Sequence, residues 1–247
     1  MGTLTLTGRR GLPGVLLCAA LTAGLAGCGT TTSSTGTGAR DPLSGLTASQ
    51  ITAKAISNLK AASAVHINGT LNSSGVAIGL DLSLVRVSGC AGTMSEQNAK
   101  GKLGSFQLVA MGKQVWVKPN RTFWKKAGGA TSMVLQVVSG KYMRVKATSD
   151  LGSLSIFCNA TTLAGKFEPI PPNLRKAAPA TIAGQRTLRI MDAADSDSLY
   201  VSDTATPEIL RIAGGSDGNL DFSDFGTPVK IAAPPKSETL SGAKYGL

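Results

Sequence analysis

Residues 76–89 read VAIGLDLSLVRVSG. Ile78, Leu80, Leu82 and Leu84 fall on one face, against Gly79, Asp81 and Ser83 on the other. A period of two puts successive side chains on opposite faces of a strand, so this stretch predicts a strand with one buried face. The alternation slips at Val85–Arg86–Val87, where a bulge would reset the register.

The same period extends in both directions. Upstream, in AVHINGTLN (64–72), Val65, Ile67 and Leu71 share one face while His66, Asn68 and Thr70 share the other. Downstream, SFQLVAMGKQVWVKPN (105–120) reads as two strands around a turn at Gly112–Lys113, with Phe106 and Leu108 lining one arm and Val115 and Val117 the other. Strands of this kind build an antiparallel sheet with one face on a core.

The pattern is different before and after this region. In TASQITAKAISNLKAAS (47–63), Thr47 stands three residues before Gln50, the spacing of a capping box. Ile51, Ala55, Ile56, Leu59 and Ala62 then follow at helical steps, with Lys54 and Lys60 off the stripe, which predicts an amphipathic helix. Residues 127–170 are blocky and read as short helices and loops, ending in the Pro-rich EPIPPNLRKAAP (168–179). Strand patterns resume in QRTLRIMD, DSLYVSD, PEILRIAGG, NLDFSDFG and PVKIAA, a meander joined by Gly, Asp and Pro turns. Residues 236–247 read as a loose tail.

The N-terminus is of another kind. Arg9 and Arg10 precede an apolar run at 11–26 that contains Pro13. A membrane span needs about 20 apolar residues; a basic start, a short apolar run and small residues at its end read as an export signal. The following LAGC (25–28) resembles the lipobox of bacterial lipoproteins. That resemblance implies a diacylglycerol on the Cys28 thiol and cleavage just before it. Two acyl chains anchor stably where one does not. Residues 29–46, rich in Gly, Ser and Thr, have the composition of a flexible tether. The expected organisation is therefore a signal peptide at 1–27, an acylated cysteine and tether at 28–46, a domain at 47–235 and the tail. The expected location is extracytoplasmic, on the outer leaflet of the cell membrane.

The full chain carries a formal charge of +11. Losing Arg9 and Arg10 with the signal leaves +9, because residues 1–27 hold no acid. A basic exterior suits anionic lipid head groups or wall polymers, and equally suits plain solubility. Export, and an aromatic content of only 4% without basic–aromatic interleaving, argue against nucleic acid as a partner.

With Cys18 removed and Cys28 acylated, Cys90 and Cys158 remain, and outside the cell such a pair is most simply a disulfide. Two cysteines and the single histidine, without C-x-x-C, do not supply a zinc shell, so no metal is expected. No catalytic residues are expected either. His66 sits on the polar face of its strand, and no G-x-S-x-G, P-loop or H-E-x-x-H is present. Asp217, Asn219 and Asp221 alternate like calcium ligands, but Phe222 and Pro228 stand where such a loop needs Gly and Glu, so a turn at Asp217–Gly218 is the better reading. Asp192, Asp195 and Asp197 read as a solvated turn, with weak cation binding the alternative.

The stretches NLKAASAVHINGTL, VRVSGCAGTM, GKQVWVKPNRTFWKK, TIAGQRTLRI and DFSDFGTPVKIAAPP, in this order behind a lipobox, resemble the LppX/LprG family of actinobacterial lipoproteins. That family shares a fold with the LolA/LolB lipoprotein carriers. The resemblance implies an α+β fold: a strongly curved antiparallel half-barrel with helices packed on its concave face. It also implies binding or carriage of acyl lipid or lipoglycan between sheet and helices, by a monomer without cofactor or catalytic activity. The candidate cavity wall is Ile78, Leu80, Leu82, Leu84, Phe106, Leu108, Val115 and Val117; the same residues also read as plain core packed on Ile51, Ile56 and Leu59. The rival functions are a cell-envelope scaffold or sensor of the same fold without lipid, and a wall hydrolase, which would need carboxylates clustered in a cleft.

Overall fold

The computed structural model describes residues 42–127, 131–192, 194 and 197–245, all within one compact unit. The expected signal peptide, Cys28 and most of the expected tether lie outside the described residues, as does Asp195.

Helix α1 (Ala48–Ala61) begins where the capping box places it. The Gln50 backbone N–H donates to Thr47 Oγ1 at 3.2 Å, and the Thr47 N–H donates to Gln50 Oε1 at 2.8 Å. Both bonds satisfy donors that an α-helix leaves open at its start. Thr47→Ala is expected to cost about 1 kcal/mol, read as a lowered urea midpoint with an unchanged denaturant slope.

Twelve strands follow: β1 (Ala64–Ser73), β2 (Val76–Val85), β3 (Gly89–Asn98), β4 (Gly101–Met111), β5 (Gln114–Pro119), β6 (Tyr142–Lys146), β7 (Leu174–Ile182), β8 (Gln185–Asp192), β9 (Ser198–Ser202), β10 (Ile209–Ala213), β11 (Gly218–Ser223) and β12 (Thr239–Ser241). They form one open, curved sheet in the order β12-β6-β5-β4-β3-β2-β1-β11-β10-β9-β8-β7. Every pairing is antiparallel except β12 with β6. The short helices α2 (Arg121–Ala127), α3 (Ser132–Val138), α4 (Asp150–Ser153) and α5 (Ala160–Gly165) all fall between β5 and β7, with a 3-10 turn at Leu154–Cys158.

Register keeps the two faces apart. On the helix side Leu82 opposes Ile67, Leu84 opposes Cys90, and Phe106 opposes Met94, each among the most buried side chains. On the outer face one polar row crosses the sheet from Arg189 through Tyr200, Arg211, Asp221, Asn68, Asp81, Thr93 and Gln107 to Lys118. A one-residue slip anywhere would exchange these sets, so each pairing is fixed by burial. Two glycines are needed. Gly112 turns β4 into β5 at φ 58°, and Gly104 lets α2 seat on β4, since a Cβ there would lie 2.7 Å from Phe123 Cα.

Several expectations are corrected. The slip at Val85–Arg86–Val87 is the turn from β2 to β3, not a bulge. Residues 42–46 are part of the folded unit rather than tether. Leu43 is fully buried, and its carbonyl accepts from Lys176 Nζ of β7 at 3.0 Å. YMRVK is strand β6, inside a region read as helix and loop, and LRKAAPATI is strand β7. PVKIAA is not a strand. Its Ile231 packs on the outer face of the sheet against Ala64, Val85, Val109 and Trp116. Pro228, Pro234 and Pro235 lack the N–H that a ladder needs, so the segment crosses the sheet instead of joining it. It thereby delivers residues 239–241 to the far edge as β12, and Lys141 Nζ donates to the Ser237 carbonyl at 3.1 Å. Residues 236–245, expected as part of a loose tail, are docked.

Candidate ligand-binding site

Three kinds of wall border an open apolar cavity of about 260 Å³. Helix α1 contributes Thr52 and Ile56. The sheet contributes Leu174 of β7, Ile190 of β8, Leu199 of β9, and Ile209 and Ile212 of β10. The third wall is the irregular segment between α5 and β7, with Phe167, Pro169 and Pro171. Ile56, Ile190 and Ile209 are buried in the interior, while Lys166, Pro169, Pro171 and Asp197 are exposed at the rim.

The sequence explains why a gap opens here. Pro169, Pro171 and Pro172 keep this segment from forming either helix or strand, so it cannot fill the space as a packed element would. Contacts at the helix hold the walls in place. Lys60 Nζ, from the last turn of α1, donates to Glu168 Oε1 at 2.7 Å and Oε2 at 2.8 Å. Lys60 is half-buried and Glu168 exposed, so solvent screens the pair and it contributes only about 0.2–1 kcal/mol. Asn58 Nδ2 donates to the Pro207 carbonyl at 2.7 Å, tying α1 to the loop before β10.

Behind the cavity wall one polar atom stands out. Thr52 is 5% exposed, and its Oγ1 is buried without a hydrogen-bond partner. Leaving such a group unpaired costs about 1–3 kcal/mol.

The eight wall candidates lie elsewhere. Leu80, Leu82, Leu84, Phe106, Leu108, Val115 and Val117 are buried in the main core, and Ile78 packs against it. None lines the apolar cavity. Leu84 borders a gap of about 80 Å³ next to Cys158, and Phe106 borders an open groove of about 510 Å³. That groove is larger but polar, with Ser105, Gln107, Lys118, Asn120 and Arg121 in its lining, which suits water better than an apolar ligand. The residues that line the apolar cavity carry the same alternation, in QRTLRIMD and PEILRIAGG. Phe167 has no sequence signal, since it lies in a loop.

Cys90 of β3 and Cys158 are joined in a disulfide, with Cα atoms 5.1 Å apart, inside the roughly 4.4–6.8 Å that such bridges span. His66 is on the outer face, away from the cavity. Its Nδ1 lies 3.1 Å from Ser83 Oγ and its Nε2 3.2 Å from Asp81 Oδ1, a cross-strand polar cluster. Asp217 closes a 3-10 turn into β11. Among the described residues, no three His, Cys, Asp or Glu side chains gather to hold a metal. Burial raises the Glu208 carboxyl above the ordinary carboxylate range, but Glu208 is not part of the cavity wall. No helix among the described residues is long and apolar enough to cross a membrane.

No family model matches the chain, and no curated protein matches its sequence. Solved structures do match. LprF from Mycobacterium bovis is 16% identical, with 76% of this chain and 96% of that chain covered, at a TM-score of 0.50. The lipoprotein LppX from Mycobacterium tuberculosis is 14% identical, with 75% and 98% covered, at a TM-score of 0.42. At such identity the likeness to LprF speaks to architecture alone. That architecture, a curved antiparallel sheet with helices on one face, gives this chain the fold of the LppX/LprG family of lipoproteins.

Proposed function

We propose that the chain is a membrane-anchored extracytoplasmic lipoprotein that binds or carries acyl lipid in the cavity between α1, the Pro-rich segment and the sheet, without catalysis. The observation that carries this reading is the cavity itself: an apolar interior reached through a polar rim, on a fold shared with lipoproteins. Binding needs no reacting group. Acyl methylenes leave water for the cavity, each contributing about 0.8 kcal/mol.

A scaffold or sensor of the same fold without lipid is the second reading. It draws on the cavity's volume of about 260 Å³, below the ~300 Å³ at which ligand pockets usually begin. Native mass spectrometry of the Cys28→Ala chain, purified without detergent, separates the two. A bound mass that solvent extraction identifies as acyl lipid supports the carrier, and a ligand-free protein supports the scaffold. A soluble form should keep Leu43, because that residue belongs to the core.

The anchor has its own test. Cys28→Ala is expected to release the protein into the medium or leave it unprocessed, as followed by fractionation. A variant that is still processed and firmly membrane-bound would defeat the lipobox reading.

A further inference from the structure

We propose that one end of the sheet, where the β3–β4 turn, α2, α3 and the start of β6 meet, is a docking surface for a bilayer of anionic phospholipid. None of its residues lines the apolar cavity, so it does not rest on the lipid-binding reading. Three observations carry it.

The first is the segregation of charge. Residues 97–149, from the end of β3 through β6, hold ten Lys and Arg and no Asp or Glu. Residues 28–96 and 150–247 together hold thirteen basic and fourteen acidic residues, so the whole positive excess sits in this one stretch. Solubility is served by both signs interspersed. A field of one sign draws in a partner of the other.

The second is where the fold puts these cations. Lys102 of β4 shares a groove with Asn120 and Thr122, and Lys118, Asn120 and Arg121 share the next one with Ser139 and Gly140. Lys100 stands in the turn before β4, Lys125 and Lys126 lie one helical turn on from Arg121 and Thr122, and Lys141 follows Gly140. All seven are exposed or half-buried, and none is ion-paired with a described residue. Lys141 meets only the neutral Ser237 carbonyl, and Glu96 is the one carboxylate lining either groove.

The third is apolar. Met133 and Val137 of α3 are 76% and 49% exposed, one helical turn apart on the same face. Leu135 and Val138 are buried in the core and hold the helix in place. Among the described residues, no other two exposed large apolar side chains share an element. The C-terminal end of α3 runs into Ser139 and Gly140, in the groove with Arg121. A bilayer surface suits both features: apolar side chains enter the head-group boundary while cations meet the lipid charge. A water-soluble polyanion engages the cations and leaves Met133 and Val137 without a partner.

The experiment uses residues 40–247, which hold the compact unit and its core and omit the export signal, whose apolar run would itself bind vesicles. Cosedimentation is measured with vesicles of phosphatidylglycerol and phosphatidylcholine in equal parts, and of phosphatidylcholine alone, at about 50 mM and about 300 mM salt. At low salt the mixed vesicles are expected to bind at least tenfold more tightly, and at high salt the difference closes. Lys125→Gln with Lys126→Gln weakens binding to the mixed vesicles about tenfold or more, at roughly fivefold per cation. Met133→Ser with Val137→Ser, which leaves the charge unchanged, weakens it about three- to tenfold. Lys54→Gln with Arg175→Gln removes the same charge elsewhere and changes it less than about threefold. All six side chains are exposed, so each variant keeps its core. Phosphatidylcholine binding as tightly as the mixture overturns the proposal. So does an equal loss from the Lys54 and Arg175 pair, which would make the attraction one of bulk charge. Polyphosphate binding the parent as tightly as the mixed vesicles, with the Met133 and Val137 changes without effect on either, would assign the surface to an anionic polymer and overturn the bilayer. Absence of vesicle binding overturns it outright, and none of these outcomes touches the cavity, which the lipid extraction tests separately.

Discussion

Replacing Cys90 and Cys158 together with alanine is expected to lower the stability of the folded unit by about 4 kcal/mol. The bridge joins residues 68 apart in sequence, and a closed loop of that length removes about this much conformational freedom from the unfolded chain. For a domain of this size the melting temperature would drop by about 8–16 °C, at roughly 2–4 °C per kcal/mol. The double substitution is the right comparison, because a single one leaves a thiol inside the core, where Cys90 is fully buried. The bond also has a local role. It pins the end of the 3-10 turn at Leu154–Cys158 to a central strand, and α5 and the Pro-rich wall of the cavity follow directly. Loss of the bridge should therefore increase hydrogen exchange over residues 150–172 more than over β1–β5. A melting shift under about 3 °C, with uniform exchange, would show that packing alone holds this segment.

How much of this was legible in the sequence depends on how strongly each stretch is patterned. Strands β1, β2, β4 and β5 alternate over long runs, and α1 declares its start through Thr47 and Gln50, so these are legible; β3, with glycines at 89 and 92 and only Cys90 and Met94 buried, is not. Strand β6 offers only Met143 and Val145 as buried positions, and two residues do not establish a period. Strand β7 lies at the sheet edge with Ala and Pro179 in place of large apolar side chains, and its register shifts around Ala177–Ala180. PVKIAA misleads in the opposite direction. Val229 and Ile231 alternate as in a strand, yet Ile231 serves the outer face through a segment that makes no ladder. The cavity is a separate matter. The eight candidates from Ile78 to Val117 read both as cavity wall and as plain core, and they sit in or against the main core, where strong alternation marks strands whose inner face is already matched by partners. Space is left where the opposing element is irregular, which here means the prolines at 169, 171 and 172, and a sequence pattern does not show what stands opposite a strand.

That difference can be measured by placing one bulky residue at each kind of position. Leu199 lines the cavity beside Ile190 and Ile212, so Leu199→Trp has empty volume to enter. The variant is expected to fold with stability near that of the parent and to lose bound acyl lipid. Leu82 is fully buried, and Phe106 is 2% exposed with its ring edge-on to Phe123 at 6.1 Å. Trp at Leu82 has no space to occupy, and Trp at Phe106 would have to leave its packing on Phe123 and turn toward the polar groove, so each change costs about 1–3 kcal/mol. Those two variants should therefore be destabilised while retaining lipid in whatever fraction folds, since neither lines the cavity. Urea midpoints give the stabilities, and native mass spectrometry gives the occupancy. The reverse pattern, with lipid lost from Leu82→Trp and kept by Leu199→Trp, would move the ligand to the β2–β5 half of the sheet and remove the basis for the site described here. Equal destabilisation of all three with no lipid in the parent would mean that the space beside Leu199 is too small to matter. The fold would then be serving as a scaffold.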